Sequence, residues 1–341
     1  MTKNALVISG GGSKGAFAVG AIEYMVKELN IDFDIVAGTS IGALITPLVI
    51  TNDISELVTI FSSLETKELL RKRCLLLALL CYDSIYDVTP GWKIIKKVIN
   101  EEKAQKILDS KKLMFLTTVN LQTGQVVYFQ SGPLAKLDDR TRVIRIETRD
   151  QLLKAVLASA NQPVLMSPVQ VMPDSDPASQ YVDGGVRELA PLRIAIDTGA
   201  TNIYAIVLAP EQHEPENVWF KKIPKILLRT VSLFVQEVTL NDCEIAKLYN
   251  KGIHYHNTLK ERIVERFNLN SEEAEELFSA VEPLNPFKDK RIVSLHIIRP
   301  EHELPSEDLD FEPQVLVDML QLGKSRAAEI LGGAVSTGEP T

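Results

Sequence analysis

Gly38-Thr39-Ser40-Ile41-Gly42 stands between two largely apolar runs, residues 33–37 and 41–50. This is the G-x-S-x-G arrangement of a serine held on a sharp strand-to-helix turn. Such a turn lifts the hydroxyl out of the sheet and aims a helix N-terminus at it. A Cβ at either glycine would obstruct the close packing of strand on helix. A second glycine-rich turn, Gly10-Gly11-Gly12-Ser13-Lys14-Gly15, begins thirty residues upstream of Ser40. One turn offers a nucleophile and the other a row of backbone N–H donors. Together they predict acyl-transfer chemistry.

A serine hydroxyl needs a positioned base. The usual base is a histidine oriented by a carboxylate. The chain has five histidines, His213, His254, His256, His296 and His302, and none stands in a recognisable strand-end loop motif. Each reads as a solvated surface residue. Asp183 is a different kind of candidate. It follows a short apolar stretch at 181–182 and precedes Gly184 and Gly185, which allow a tight turn against a neighbouring strand end. The same Asp-Gly-Gly also reads as a simple turn.

The turn at 10–15 has competing readings. It fits G-x-G-x-x-G between a strand and a helix, the pattern of a dinucleotide site. The acidic residue that pattern requires is missing from the end of the second strand, because Asp32 and Asp34 lie at its start. A P-loop is excluded, since Gly15 is followed by Ala16 and not by Lys and Ser/Thr. There remains an anion-binding concavity of successive glycine N–H groups at a helix start, to which Lys14 either adds charge or simply faces solvent.

The elements that must hold these groups are legible from periodicity. Residues 5–9 and 33–37 read as buried strands, 16–29 as a helix, and 41–52 as an apolar helix kinked at Pro47. Strand–helix–strand–helix begins a parallel sheet covered on both faces. Residues 53–112 read as mostly helical. Strands are expected at 113–120 and 125–130, joined by a turn at 122–124, with another at 142–147. A helix capped by Asp150 runs to 160. Further elements are strands at 181–182, 202–208 and 292–298, and helices at 193–198, 219–248 and 313–331. The chain is expected to be one domain over 1–331, with a motif-bearing core at about 5–210, a mostly helical part at about 211–331, and a disordered tail at 332–341.

Of the 341 residues, 45% are hydrophobic and 24% charged, which is ordinary for a soluble globular protein, and the formal net charge of −8 favours neither nucleic acid nor an anionic membrane as a partner, so any attraction to a bilayer must be local. Three cysteines, Cys74, Cys81 and Cys243, form no C-x-x-C pair, which fits a reducing cytosol. The N-terminal apolar stretch is too short for a secretory leader, and the apolar run at 75–81 falls far short of the roughly 20 residues that span a bilayer.

Taken in order, Gly10-Gly11-Gly12-Ser13-Lys14-Gly15, Gly38-Thr39-Ser40-Ile41-Gly42 and Asp183-Gly184-Gly185 resemble the motifs of the patatin-like phospholipases. Ala158-Ser159-Ala160 with Pro163, and Pro191-Leu192, also resemble family segments flanking the aspartate. The resemblance is specific over about 5–50 and 152–209 and weakest after about 210. It implies a three-layer α/β/α fold with a mostly parallel central sheet. It also implies a serine–aspartate dyad of Ser40 as nucleophile and Asp183 as general base. Gly10, Gly11 and Gly12 would form the oxyanion hole, supported by Lys14, Gly15, Gly38, Gly42, Gly184 and Gly185. No metal or cofactor is implied. Burial is expected to raise the Asp183 pKa toward neutrality. The implied substrate is a phospholipid, lysophospholipid or other acyl-ester lipid. Two alternatives stay open, a Ser-His-Asp esterase or thioesterase and a non-catalytic lipid-binding regulator.

A lipid substrate makes peripheral membrane contact an expectation for an otherwise cytoplasmic protein. Two stretches mix basic and apolar residues: Lys67, Arg71, Lys72 and Arg73 before the run at 75–81, and Trp219, Phe220, Lys221, Lys222, Lys225 and Arg229 interleaved with Ile223, Ile226, Leu227 and Phe234. Each reads as an interfacial helix or as a core-facing amphipathic helix with a solvated basic face.

Overall fold

The computed structural model describes residues 2–337, apart from 75–77, 79–80, 136, 138–140, 175, 213–214, 216–217, 286, 288–289 and 307–308. Its main sheet has eight strands: β1 (Asn4–Ile8), β2 (Ile35–Thr39), β5 (Leu113–Asn120), β6 (Val126–Ser131), β7 (Arg142–Arg145), β8 (Tyr181–Asp183), β9 (Asn202–Ile206) and β10 (Ser294–Ile298). The order is β10-β9-β1-β2-β5-β6-β7, with β8 attached to β5. From β10 to β5 every neighbouring pair is parallel, while β6 and β8 run antiparallel to β5. A separate ladder of two-residue strands, β3 (Arg71–Lys72) and β4 (Tyr86–Asp87), interrupts a stretch expected to be helical. Most of the apolar run at 75–81 lies outside the described residues.

Alternation along the strands sorts the core into two halves. Leu6, Ile8, Val36, Met114 and Leu116 point to one face, against α1 (Gly15–Lys27), α2 (Ile41–Ile50), α3 (Ile54–Ser63) and α7 (Arg149–Ala160). Ala5, Val7, Ile35, Ala37 and Phe115 point to the other, against α8 (Leu192–Asp197) and the middle of α9 (Ile223–Phe267). This is the three-layer α/β/α arrangement, with strands buried on both sides and therefore nearly continuous in apolar residues. The smaller helices α4 (Thr66–Leu69), α5 (Thr89–Val98) and α6 (Glu101–Leu108) bridge β2's helices to β5.

Local chemistry sets several boundaries differently from expectation. Helix α7 is capped by Thr148, whose side chain accepts from the Gln151 N–H in a capping box, and not by Asp150. Helix α2 continues through Pro47 to Ile50. Helix α9 has 45 residues, far more than expected, and is followed by α10 (Ser271–Ser279). The closing helix α11 (Pro313–Thr337) runs past the expected end at Leu331, and residues 338–341 lie outside the described residues. Among the described residues no helix is long and apolar enough to cross a membrane.

Candidate active site

β2 ends at Thr39 and α2 begins at Ile41, so the whole turn between them is Ser40. Its φ of 57° and ψ of −122° lie in a region that non-glycine residues rarely occupy, at a cost of about 1–3 kcal/mol. The turn is tight because its glycines leave no side chain in the way. A Cβ on Gly42 would lie 2.3 Å from Ile8 O, and one on Gly38 would lie 2.4 Å from Gly42 O. The Ser40 N–H donates to Ser159 Oγ at 3.1 Å, and that hydroxyl donates to Thr117 O at 2.6 Å. The elbow is thus tied to both α7 and β5.

Asp183 reaches the same place from the other direction. Thr39 pairs with Thr117 of β5, and Asp183 pairs with the next residue, Thr118. Because β6 occupies the opposite edge of β5 over these residues, β8 continues the edge that β2 leaves. Ser40 and Asp183, distant in sequence, therefore follow one another along one edge of β5. The end of α7 holds both: Ser159 takes the Ser40 N–H, and Asn161 O accepts the Asp183 N–H at 2.9 Å. Asp183 is 3% exposed, and its Oδ1 accepts from the Gly185 N–H at 2.8 Å. Gly184 packs on Thr117, where a Cβ would lie 2.6 Å from the carbonyl oxygen.

The turn after β1 closes over this edge. Gly11 has φ 153° and ψ 22°, a conformation suited to glycine, and a Cβ there would lie 2.9 Å from Leu208 Cβ. Gly12 opens a 3₁₀ turn, Gly12–Lys14, that runs straight into α1 at Gly15. The first N–H groups of a helix have no partner within it, and here they belong to Gly11 and Gly12. Gly10 was expected as a third oxyanion donor, but its N–H is committed to Leu189 O at 3.2 Å. Lys14 is half-buried on the 3₁₀ turn, and Gly15 packs on Ile41. The carboxylate of Asp34 bonds the Asn4 N–H at the opposite end of β1, away from the glycine turn, which removes the ribose anchor of a dinucleotide site.

Ser40 and Gly12 open onto a pocket walled by Leu44, Leu69, Trp92, Ile95, Leu157, Met166 and Phe311. Among the described residues its lining has no charged side chain and no histidine. His296 stacks on Tyr204 at the β9–β10 edge, His254 and His256 lie on α9, and His213 lies outside the described residues. No group of three or more His, Cys, Asp and Glu among the described residues is placed to hold a metal ion.

Three residues of the site's support carry no motif. Leu189 is wedged between the turns, within 2.5 Å of where a Cβ on Gly10 or Gly185 would lie. Asp242 of α9 accepts the Leu189 and Ala190 N–H groups at 2.9 Å each, and burial pushes its pKa up to about 7 against the lowering effect of those bonds. Glu188 accepts from the Tyr128 hydroxyl, and burial raises its pKa to about 8. Its carbonyl oxygen accepts from Thr39 Oγ1 at 3.3 Å.

The profile of the patatin-like phospholipase family matches residues 6–196, more than half of the chain. The chain belongs to the patatin-like phospholipase family. An uncharacterised protein of Bacillus subtilis (strain 168), YqhO, is 28% identical over 218 residues, covering 61% of this chain and 72% of that protein. The crystal structure of VipD from Legionella pneumophila aligns over 97% of this chain and 67% of its own, at 9% identity and a TM-score of 0.35. The patatin-like region spans the Gly10 turn, the Ser40 elbow, Ser159, Asp183 and Leu189, whereas α9 and Asp242 lie beyond it.

Proposed function

We propose that the chain is a lipid acyl hydrolase, of phospholipase A or lysophospholipase type, working through a Ser40–Asp183 dyad. Asp183 takes the Ser40 proton as Oγ attacks the ester carbonyl carbon. The N–H groups of Gly11 and Gly12 bind the oxyanion that forms. Collapse of the tetrahedral intermediate breaks the bond to the alcohol, which leaves with the proton from Asp183. Water, deprotonated by Asp183, then attacks the acyl-enzyme and releases the fatty acid and Ser40.

The observation that carries this reading is the sharing of one β5 edge by Ser40 and Asp183, with Ser40 open to an uncharged apolar pocket. The pocket suits an acyl chain. That its described lining has no histidine weighs against a Ser-His-Asp triad. The strained elbow and the positive-φ glycine turn weigh against a non-catalytic lipid-binding regulator, because strain of this kind persists where it serves a site. An ester held in a bilayer is reached by peripheral contact with its surface, and such contact belongs to the reading. So does a cytoplasmic location, which suits the free Cys74, Cys81 and Cys243.

Hydrolysis of a fluorogenic phospholipid provides the test. Ser40→Ala and Asp183→Asn are expected to lower kcat/KM by about 10³-fold or more while circular dichroism stays that of the wild type. A folded Asp183→Asn enzyme of full activity would take Asp183 out of the mechanism.

A further inference from the structure

Among the described residues, helix α9 buries side chains in its middle and later turns. Thr239, Cys243, Ala246 and Ile253 are buried, Asp242 holds the Leu189 and Ala190 N–H groups, and Asn250 exchanges two hydrogen bonds with Val293. Over 223–238 no described residue is buried. At 1.5 Å per residue this stretch is roughly 24 Å long, and its described residues are exposed or half-buried.

What this stretch exposes is apolar. Trp219 is 83% exposed, Ile223 81% and Phe234 67%, with Ile226 and Val231 exposed between them. Ile223, Ile226 and Phe234 recur at helical spacing, with Val231 beside them. Arg229, Ser232 and Gln236, spaced by three and four, fall on the other side, where each is half-buried. A core-facing helix would bury the apolar stripe, and here it faces outward.

Charge identifies what covers it. Residues 218–238 carry four basic residues, Lys221, Lys222, Lys225 and Arg229, against one acidic residue, Glu237, in a chain of net charge −8. A second copy packed symmetrically on this face would set two segments of the same net positive charge side by side. An anionic bilayer surface attracts them while repelling the rest of the molecule, and its acyl boundary accepts the aromatic and aliphatic stripe. We infer that residues 218–238 form an amphipathic arm that docks the protein on anionic lipid bilayers. The inference rests on the lipid acyl hydrolase reading and names the surface that reading requires.

Co-sedimentation of the full chain with vesicles tests it, comparing phosphatidylcholine containing about one third phosphatidylglycerol with phosphatidylcholine alone. The wild type is expected to bind the anionic vesicles preferentially and to be released at about 1 M salt, where the Debye length falls to about 3 Å. Lys221→Ala/Lys222→Ala is expected to bind about thirtyfold more weakly, from roughly fivefold per basic residue. Trp219→Ser/Phe234→Ser is expected to lose saturable binding. Both variants should keep wild-type hydrolysis of a water-soluble short-chain ester, which also reports that they fold. Wild-type protein that ignores anionic vesicles, or variants that bind as well as wild type, would overturn the inference. So would sedimentation equilibrium showing a dimer that Trp219→Ser/Phe234→Ser makes monomeric. Arm-dependent vesicle binding without any ester hydrolysis would leave the surface standing and remove the hydrolase reading instead.

Discussion

Glu188 lies five residues beyond Asp183, enclosed on the α8–α9 side of the sheet where Tyr128 donates to it. Burial raises its pKa from an ordinary 4.5 to about 8, so near neutrality the folded protein keeps a proton that the unfolded chain releases. Stability from this group is therefore fully present below about pH 4.5 and is lost as pH rises toward 8, above which the loss levels off. Urea unfolding at about pH 5 and about pH 8.5 should show a wild-type decline of a few kcal/mol that Glu188→Gln largely removes. An unchanged decline in the variant would mean that other groups carry it. Glu188, like Leu189, was silent in the sequence. Neither residue type signals a site, and the role of each arises from the chain folding back between two glycine turns. Ser40 and Asp183 were legible because the glycines beside them, Gly38 and Gly42 about the serine and Gly184 and Gly185 after the aspartate, permit tight turns and close backbone approaches that side chains would obstruct.

Helix α9 connects the least family-like part of the chain to the site. Asp242 holds the Leu189–Ala190 peptides, and Leu189 O in turn holds the Gly10 N–H at the start of the proposed oxyanion turn. Burial places the Asp242 pKa at about 7, and its ionised form binds N–H groups more strongly than its acid. Its ionisation should then favour the ordered turn, so kcat for a soluble ester rises through about pH 7 in the wild type. Asp242→Asn, which keeps an acceptor oxygen but cannot ionise, should flatten that inflection with little change in KM. The same inflection in the variant would separate Asp242 from catalysis. Periodicity located most elements but not their ends. Thr148 replaced Asp150 as a cap because its hydroxyl forms a reciprocal box with Gln151. The length of α9 was hidden because the apolar signal past residue 248 is thin, while exposed polar residues continue a helix as readily as they form a loop.

For the molecule as a whole, the site lies at the carboxyl ends of the parallel strands, where β1 releases the glycine turn and β2 the serine elbow. The last helix secures this end: a Cβ on Gly20 of α1 would lie 1.9 Å from Leu320 O, and one on Gly323 of α11 equally close to Phe17 O. The three-layer fold was legible because strands buried on both faces must be apolar almost throughout, as 5–8 and 113–116 are. The antiparallel attachment of β8 was not, since three residues carry too little pattern to show an edge or a direction. Yet that attachment is what puts Asp183 on the same edge of β5 that β2 leaves at Thr39. The pairing is tested most directly by mass spectrometry of the intact protein after treatment with a fluorophosphonate, with peptide mapping of the adduct. One adduct is expected, on Ser40, forming at a rate that Asp183→Asn lowers by orders of magnitude. Labelling of a different serine, or of Ser40 at an undiminished rate in folded Asp183→Asn protein, would contradict it.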